Sequence, residues 1–300
     1  MGNSLFTVSI SIIGYNTKSS LNKLLHSIQA LEIKSFMEVE IIYVDDGSSD
    51  GSFNLFQSFP LKFKKIGKKI TINSGRVAAT EKSFMLANND WILSVRSNIV
   101  LDKDVLVQYA KCTIKYSASA YMGKILYQSK DHILETYLNH PFRGINNIVD
   151  NQHIHYKYLL FGNCLLKTSL IKQISFNKNL LAYGGEELDF SYNLINQNTA
   201  SIRACPKAVA TRINHPNMTE HCQRLYEFGK QNFKFLNVDN QLLVVEGFTL
   251  LTYWVKTLKL YFILSPVSRV FIMLNIKHLN YYLIRICFFA SVCRGLNHSK

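Results

Sequence analysis

Hydrophobic positions along the first hundred residues fall into two alternating periods. From Thr7 to Tyr15, Val8, Ile10 and Ile12 occupy one side of an extended chain and Thr7, Ser9 and Ser11 the other, which is the period of a β-strand. Ser19 to Leu31 shifts to the helical period, with Leu21, Leu24, Leu25, Ile28 and Leu31 on one stripe behind a serine cap. Glu38 to Asp46, Lys69 to Asn73 and Trp91 to Arg96 read as further strands. Asp50 to Gln57, Val77 to Asn88 and Lys103 to Tyr116 read as helices. This order predicts an α/β fold in which a mostly parallel sheet is flanked by helices.

The middle third is less regular. Ala120 to Tyr127 and Tyr158 to Leu166 are expected strands enclosing a loop-like stretch with His140, His153 and His155. A helix from Glu186 to Asn196 follows a double glycine, then a strand from Ser201 to Ile213 and a helix from Thr219 to Leu236. From about Gln241 the polar face disappears. Leu242 to Leu264 and Val267 to Val292 are apolar almost all round, separated by Ser265-Pro266. We therefore expect one domain over residues 1–240 and a helical appendage over 241–300. The longest uncharged run in the first apolar segment is the nine residues between Glu246 and Lys256, against the roughly 20 needed to cross a bilayer. Interfacial helices or dimer-buried helices fit, as does a cap buried on the sheet.

Composition narrows the function classes. A hydrophobic content of 48% excludes wholesale disorder. Residues 241–300 carry seven Lys/Arg against one acid, Glu246, so the net charge of +14 is densest where the chain is most apolar. That favours an anionic membrane surface over nucleic acid, and no RNA motif or recognition helix is present. The six cysteines show neither C-x-x-C nor a rhythm with the histidines, so reduced thiols are the expectation rather than zinc or a disulfide framework. Phe6 to Ile13 alternates like a strand, not like a signal peptide. Met1-Gly2 opens like a myristoylation site but has Phe6 where Ser or Thr is required. A cytoplasmic protein, peripheral on the inner membrane face, is expected.

In sheets of this kind ligands bind at the carboxyl ends of the strands, and here those ends are polar. They read Gly14-Tyr15-Asn16, Asp45-Asp46-Gly47-Ser48, Asn73-Ser74-Gly75-Arg76 and Arg96-Ser97-Asn98. Carboxylates at such ends suit base edges and ribose hydroxyls; read without context, Asp45 to Asp50 is equally an ordinary turn capping the next helix. Further along, Tyr183-Gly184-Gly185-Glu186-Glu187-Leu188-Asp189 places acids at a helix start, which caps the helix and also gathers carboxylates at one spot.

Together, Val8 to Asn16, Val44-Asp45-Asp46-Gly47-Ser48 and Asn73 to Ala79 resemble the opening of family 2 glycosyltransferases of the GT-A fold. The resemblance continues to about residue 236. It implies an enzyme moving a sugar from a nucleotide-diphospho-sugar donor to a glycan or lipid-linked glycan acceptor in surface-glycan assembly. Asp45 would meet the nucleobase and Gly14 to Asn16 would frame the nucleotide. The segment ending in Glu186-Glu187 resembles the family's G-G-E-D, implying Glu187 as general base and inversion at the anomeric carbon. Gly185, Glu186, Asp189 and Asn163, in a loop resembling the one beneath the sugar, would face the acceptor. The family's metal motif, Asp-x-Asp at the fourth strand's end, is Arg96-Ser97-Asn98 here, and the Arg and Asn of its following helix are Thr80 and Glu81. For a divalent cation, Mn or Mg, the remaining candidates are Asn98 and His215. Alternatively, Arg96 with Arg76 holds the diphosphate directly, or the site has decayed into a non-catalytic nucleotide- or glycan-binding subunit. A further alternative is a scaffold acting through its C-terminal helices.

Overall fold

The computed structural model describes residues 5–198, 200–245, 249–273 and 277–299. The Met1-Gly2 opening and Glu246 lie outside the described residues, as does the side chain of Lys277. In chain order the elements are β1 (Phe6–Gly14), α1 (Lys18–Gln29), β2 (Met37–Asp45), α2 (Ser52–Ser58), β3 (Lys64–Lys69), α3 (Arg76–Met85), β4 (Trp91–Arg96), β5 (Ile99–Leu101), α4 (Val105–Lys115) and β6 (Ala120–Ser129). There follow α5 (His132–Leu138), β7 (Cys164–Lys167), α6 (Thr168–Ile171), α7 (Glu186–Asn198), β8 (Ile202–His215), α8 (Met218–Glu227), α9 (Val238–Val244), α10 (Thr249–Thr257), α11 (Tyr261–Met273) and α12 (Lys277–Asn297).

The strands form one sheet in the order β3-β2-β1-β4-β7-β6-β8-β5. Its first four strands run parallel, and register brings their carboxyl ends level: Gly14 pairs with Asp45, Asp45 with Lys69, and Ile13 with Arg96. The neighbouring half is antiparallel, through β4–β7, β6–β7 and β5–β8. The α/β class and the polar rim expected from the strand ends are both present.

Three elements differ from the expectation. β3 lies over Lys64–Lys69, not Lys69 to Asn73, because it is an edge strand: lysines protect an open edge, while the β-branched Ile70-Thr71-Ile72 runs past the sheet with Ile72 78% exposed. Tyr158 to Leu166 is not a strand throughout; a 3₁₀ turn at Tyr156–Tyr158 precedes the short β7. Pro266 does not separate the C-terminal helices but sits inside α11. The break falls at Lys259, whose φ of 52° ends α10, with the Leu260 N–H closing back on the Val255 carbonyl at 3.0 Å.

The chain divides into two compact units. The first comprises Met1–Gln128, Pro141–Phe176 and Phe190–Asn214, the second Ser129–His140, Asn177–Asp189 and His215–Lys300. The core of the first unites one face of β1, β2 and β4 with the stripe Leu21, Leu24, Leu25 and Ile28 of α1. β1 is buried on both faces, so its serines are internal: the Ser9 hydroxyl donates to Glu40 at 2.7 Å and the Ser11 and Ser83 hydroxyls meet. In the second unit Val255, Tyr261, Phe289, Ala290 and Cys293 hold α10, α11 and α12 together. No helix among the described residues is long and apolar enough to cross a membrane. The cysteines are free thiols, and Cys112 and Cys205, 93 residues apart, meet with sulfurs 2.8 Å apart.

Candidate active site

In the first unit, the loops after β1, β2 and β3 form one hydrogen-bonded rim. The Asp46 carboxylate accepts from the Ser74 N–H and hydroxyl, both at 2.8 Å, and from the Gly75 N–H at 3.0 Å, so it holds the Asn73-Ser74-Gly75 loop ahead of α3. Asp45 is fully buried; it accepts from the Ser48 N–H at 2.7 Å and from the Tyr43 hydroxyl at 3.1 Å. Burial, and then the Asp45 charge, push the Tyr43 phenol well above its ordinary value, which keeps it a donor. Asp45, expected to meet a nucleobase, is buried in this structure, with its carboxylate holding the Gly47-Ser48 turn. Asn16, with φ 51°, accepts from the Ser49 N–H at 2.9 Å, and its own N–H donates to the Ser48 hydroxyl at 2.8 Å. Tyr15, 49% exposed, stands outward beside it. Asp50 fixes the start of α1 by accepting from the Lys18 N–H at 2.8 Å. Burial raises its pKa, but hydrogen bonds from Ser52 and the Lys18 backbone outweigh that and leave it below the usual carboxylate range.

At the end of β4, the half-buried Arg96 guanidinium donates to the Thr80 hydroxyl at 3.3 Å and lies 5.6 Å over the Phe161 ring. Ser97 is buried, and the Asn98 amide donates to the Ile213 carbonyl at 3.3 Å. This set does not fit a divalent cation. Its one charged group is a cation, and Asn98 offers only a neutral amide oxygen where hard cations take carboxylates. Arg76 opens α3 directly after Gly75, at the same rim. Among the described residues the one group of three metal-ligand types is Cys112, Asp150 and Cys205, elsewhere in this unit.

In the second unit, Gly184 and Gly185 both adopt left-handed backbone, φ 92° and 91°, which a side chain resists and which turns the chain sharply into α7. The turn is clasped from behind by Asn232, whose amide donates to the Ala182 and Gly184 carbonyls at 3.0 and 2.8 Å while its oxygen accepts from the Ala182 N–H at 3.1 Å. Asn232 sits in a π-helical stretch, Phe228–Asn232, that follows α8, where one continuous helix to Leu236 was expected. The wider turn aims this buried amide at the loop; a period-based reading assigns the segment to packing. The first turn of α7 carries Glu186, Glu187 and Asp189. Glu186 and Asp189 are buried and Glu187 is half-buried. Burial raises the Asp189 pKa, against a smaller lowering from the Asn177 side chain. His215 is buried, with Nδ1 2.9 Å from the Pro216 carbonyl and its ring beside His221, so its geometry is that of a packed residue.

Asn163, expected near an acceptor, is fully buried in the first unit. Its amide donates to the Lys124 and Ala208 carbonyls at 3.0 and 2.8 Å, and its oxygen accepts from the Tyr109 hydroxyl at 3.0 Å. It joins β6, β8 and α4 and presents nothing to a ligand. Asn163→Ala strands two buried carbonyls and is expected to cost about 3 kcal/mol. Urea melts check this; an altered acceptor KM at unchanged stability would restore the ligand role.

Residues 9–170, more than half of the chain, match the profile described as Glycosyl transferase family 2. A 103-residue stretch, 34% of the chain, is 29% identical to the uncharacterized glycosyltransferase YfnE of Bacillus subtilis (strain 168) and spans 26% of that protein's length. Over 97% of the chain the fold is similar to S. aureus TarS 1-349, with a TM-score of 0.56 at 16% identity and 90% of that chain covered. The similarity to the same protein in complex with UDP-GlcNAc has the same values. At that identity the likeness to TarS is one of fold, and it establishes the GT-A architecture. The profile match carries the assignment further: this chain belongs to glycosyl transferase family 2.

Proposed function

We propose that the chain is an inverting glycosyltransferase that moves a sugar from a nucleotide-diphospho-sugar to a glycan or lipid-linked glycan hydroxyl during surface-glycan assembly on the cytoplasmic side. The observation carrying this reading is the acidic start of α7, two left-handed glycines clasped by Asn232 ahead of a half-buried Glu187. A carboxylate fixed in this way takes the proton from an attacking hydroxyl while the diphosphate departs from the opposite face. At the rim of the first unit, Gly14 to Asn16 and the Asp46-held loop frame the nucleotide, and Arg96 with Arg76 meets the charge that builds on the leaving diphosphate. The UDP-GlcNAc complex of TarS makes UDP-sugars the first donors to test.

The replacement of Asp-x-Asp by Arg96-Ser97-Asn98 favours a second reading, a non-catalytic subunit that binds nucleotide or glycan beside an active transferase. A panel of UDP- and other nucleotide-sugars, with calorimetry and measurement of released nucleoside diphosphate, decides between the two. Saturable donor binding with turnover supports the enzyme. Binding without release under every donor and acceptor supports the subunit.

A further inference from the structure

The second unit carries a surface that glycosyl transfer does not use. On α10, Leu250 is 82%, Tyr253 64% and Trp254 54% exposed, while Val255 anchors the helix in the core. On α11, Phe262, Ile263, Val267, Val270, Phe271 and Met273 are all exposed, and their three- and four-residue spacing lays them on one face of the helix. A contiguous apolar face of this size marks an interaction site.

Beside that face lies a cavity of about 500 Å³ whose lining includes Thr219, Tyr226, Phe262, Arg269, Ser291 and Arg294. Arg269 donates to the Thr219 hydroxyl at 3.4 Å, and its Nε is buried with no hydrogen-bond partner. The Arg294 guanidinium lies 5.1 Å over the Tyr226 ring. Two arginines thus line one cavity with no acid in its lining, and the planar guanidinium fork suits phosphate oxygens. Phe262 belongs both to this lining and to the exposed face, so an anion seated here has apolar surface beside it.

The charge pattern selects the occupant. Between Thr249 and Asn297 the sequence carries Lys256, Lys259, Arg269, Lys277, Arg285 and Arg294 and no acid. A second copy of this face would oppose Lys256, Lys259 and Arg269 to their own counterparts, whereas an anionic bilayer neutralises them, at roughly 1 kcal/mol per residue near the surface. Trp254 and Tyr253 beside lysines are the mix that settles at a lipid headgroup boundary. We propose that α10 and α11 seat the protein on an anionic lipid bilayer, with a headgroup phosphate between Arg269 and Arg294 and Leu250, Trp254, Phe262 and Ile263 at the acyl boundary.

Flotation of the full chain with phosphatidylcholine vesicles, with and without phosphatidylglycerol, tests this. The expected result is at least about tenfold more bound protein with phosphatidylglycerol, falling in high salt. Phe262→Asp with Ile263→Asp abolishes flotation, and Arg269→Gln with Arg294→Gln removes the preference for phosphatidylglycerol. All four positions are exposed or at a cavity wall, so both variants keep the parent circular dichroism and melting. Equal flotation on both vesicles, or none on either, overturns the proposal. So does a sedimentation result in which the Asp variant splits a dimer while flotation is unchanged, since the face then belongs to a second copy.

Discussion

Glu187→Gln is expected to lower kcat for sugar transfer by about 10³-fold while leaving donor affinity within about twofold. The amide keeps the shape and length of the side chain but takes no proton, so the loss measures the general base alone. The rim loops of the first unit, where the donor is proposed to bind, contain no part of this side chain, hence the unchanged affinity. Glu187→Asp is the informative partner. The family segment that this one resembles has Asp here, so the shorter carboxylate should retain most of the rate or shift which acceptor is used. Nucleoside diphosphate release under saturating acceptor, with calorimetry on the donor, reads both quantities. A Gln variant at parental kcat removes Glu187 from the mechanism. Glu186 and Asp189 are less accessible to an acceptor hydroxyl: both are buried, whereas Glu187 is half-buried.

What the sequence made legible follows from what carries a period. β1, β2, β4 and α1 were readable because their apolar positions repeat along the chain, and the rim followed because parallel strands end together. β3 was not, since an edge strand is built from lysines and lacks the apolar signature of its neighbours. The limit at side-chain level is different in kind. Asp45, Asp46 and Asn163 have the residue types of a binding site, yet the structure uses Asp45 and Asn163 inside and Asp46 to hold a loop. A carboxylate that accepts from a ligand and one that accepts from a neighbouring backbone have the same sequence signature. Asn232 is the converse: nothing in Phe228-Gly229-Lys230-Gln231-Asn232 announces a π-turn, so the sequence pattern assigns the residue that clasps the Gly184-Gly185 turn to packing.

Arg96→Ala is expected to cost about 10² to 10³ in kcat/KM, and wild-type turnover is expected to persist in a chelator. The two departures from the family pattern meet in space. Where relatives carry Arg in the helix after the third strand and Asp at the end of the fourth, this chain has Thr80 and Arg96, and the Arg96 guanidinium donates to the Thr80 hydroxyl at 3.3 Å. This chain thus carries its positive charge at the strand end, the position from which the family pattern it resembles would hold a metal. In the proposed reaction a guanidinium there would meet the leaving diphosphate by forked hydrogen bonds instead of through an ion, and it lies 5.6 Å over the Phe161 ring. Arg96→Lys should recover only part of the loss, because a point charge reproduces the attraction but not the fork. If Arg96→Ala turns over at the parental rate in chelator, the charge on the diphosphate is met elsewhere, and Arg76 at the start of α3 is the next residue to replace. If wild-type turnover stops in chelator, an ion is required and the charge exchange at Thr80 and Arg96 is not what replaced it.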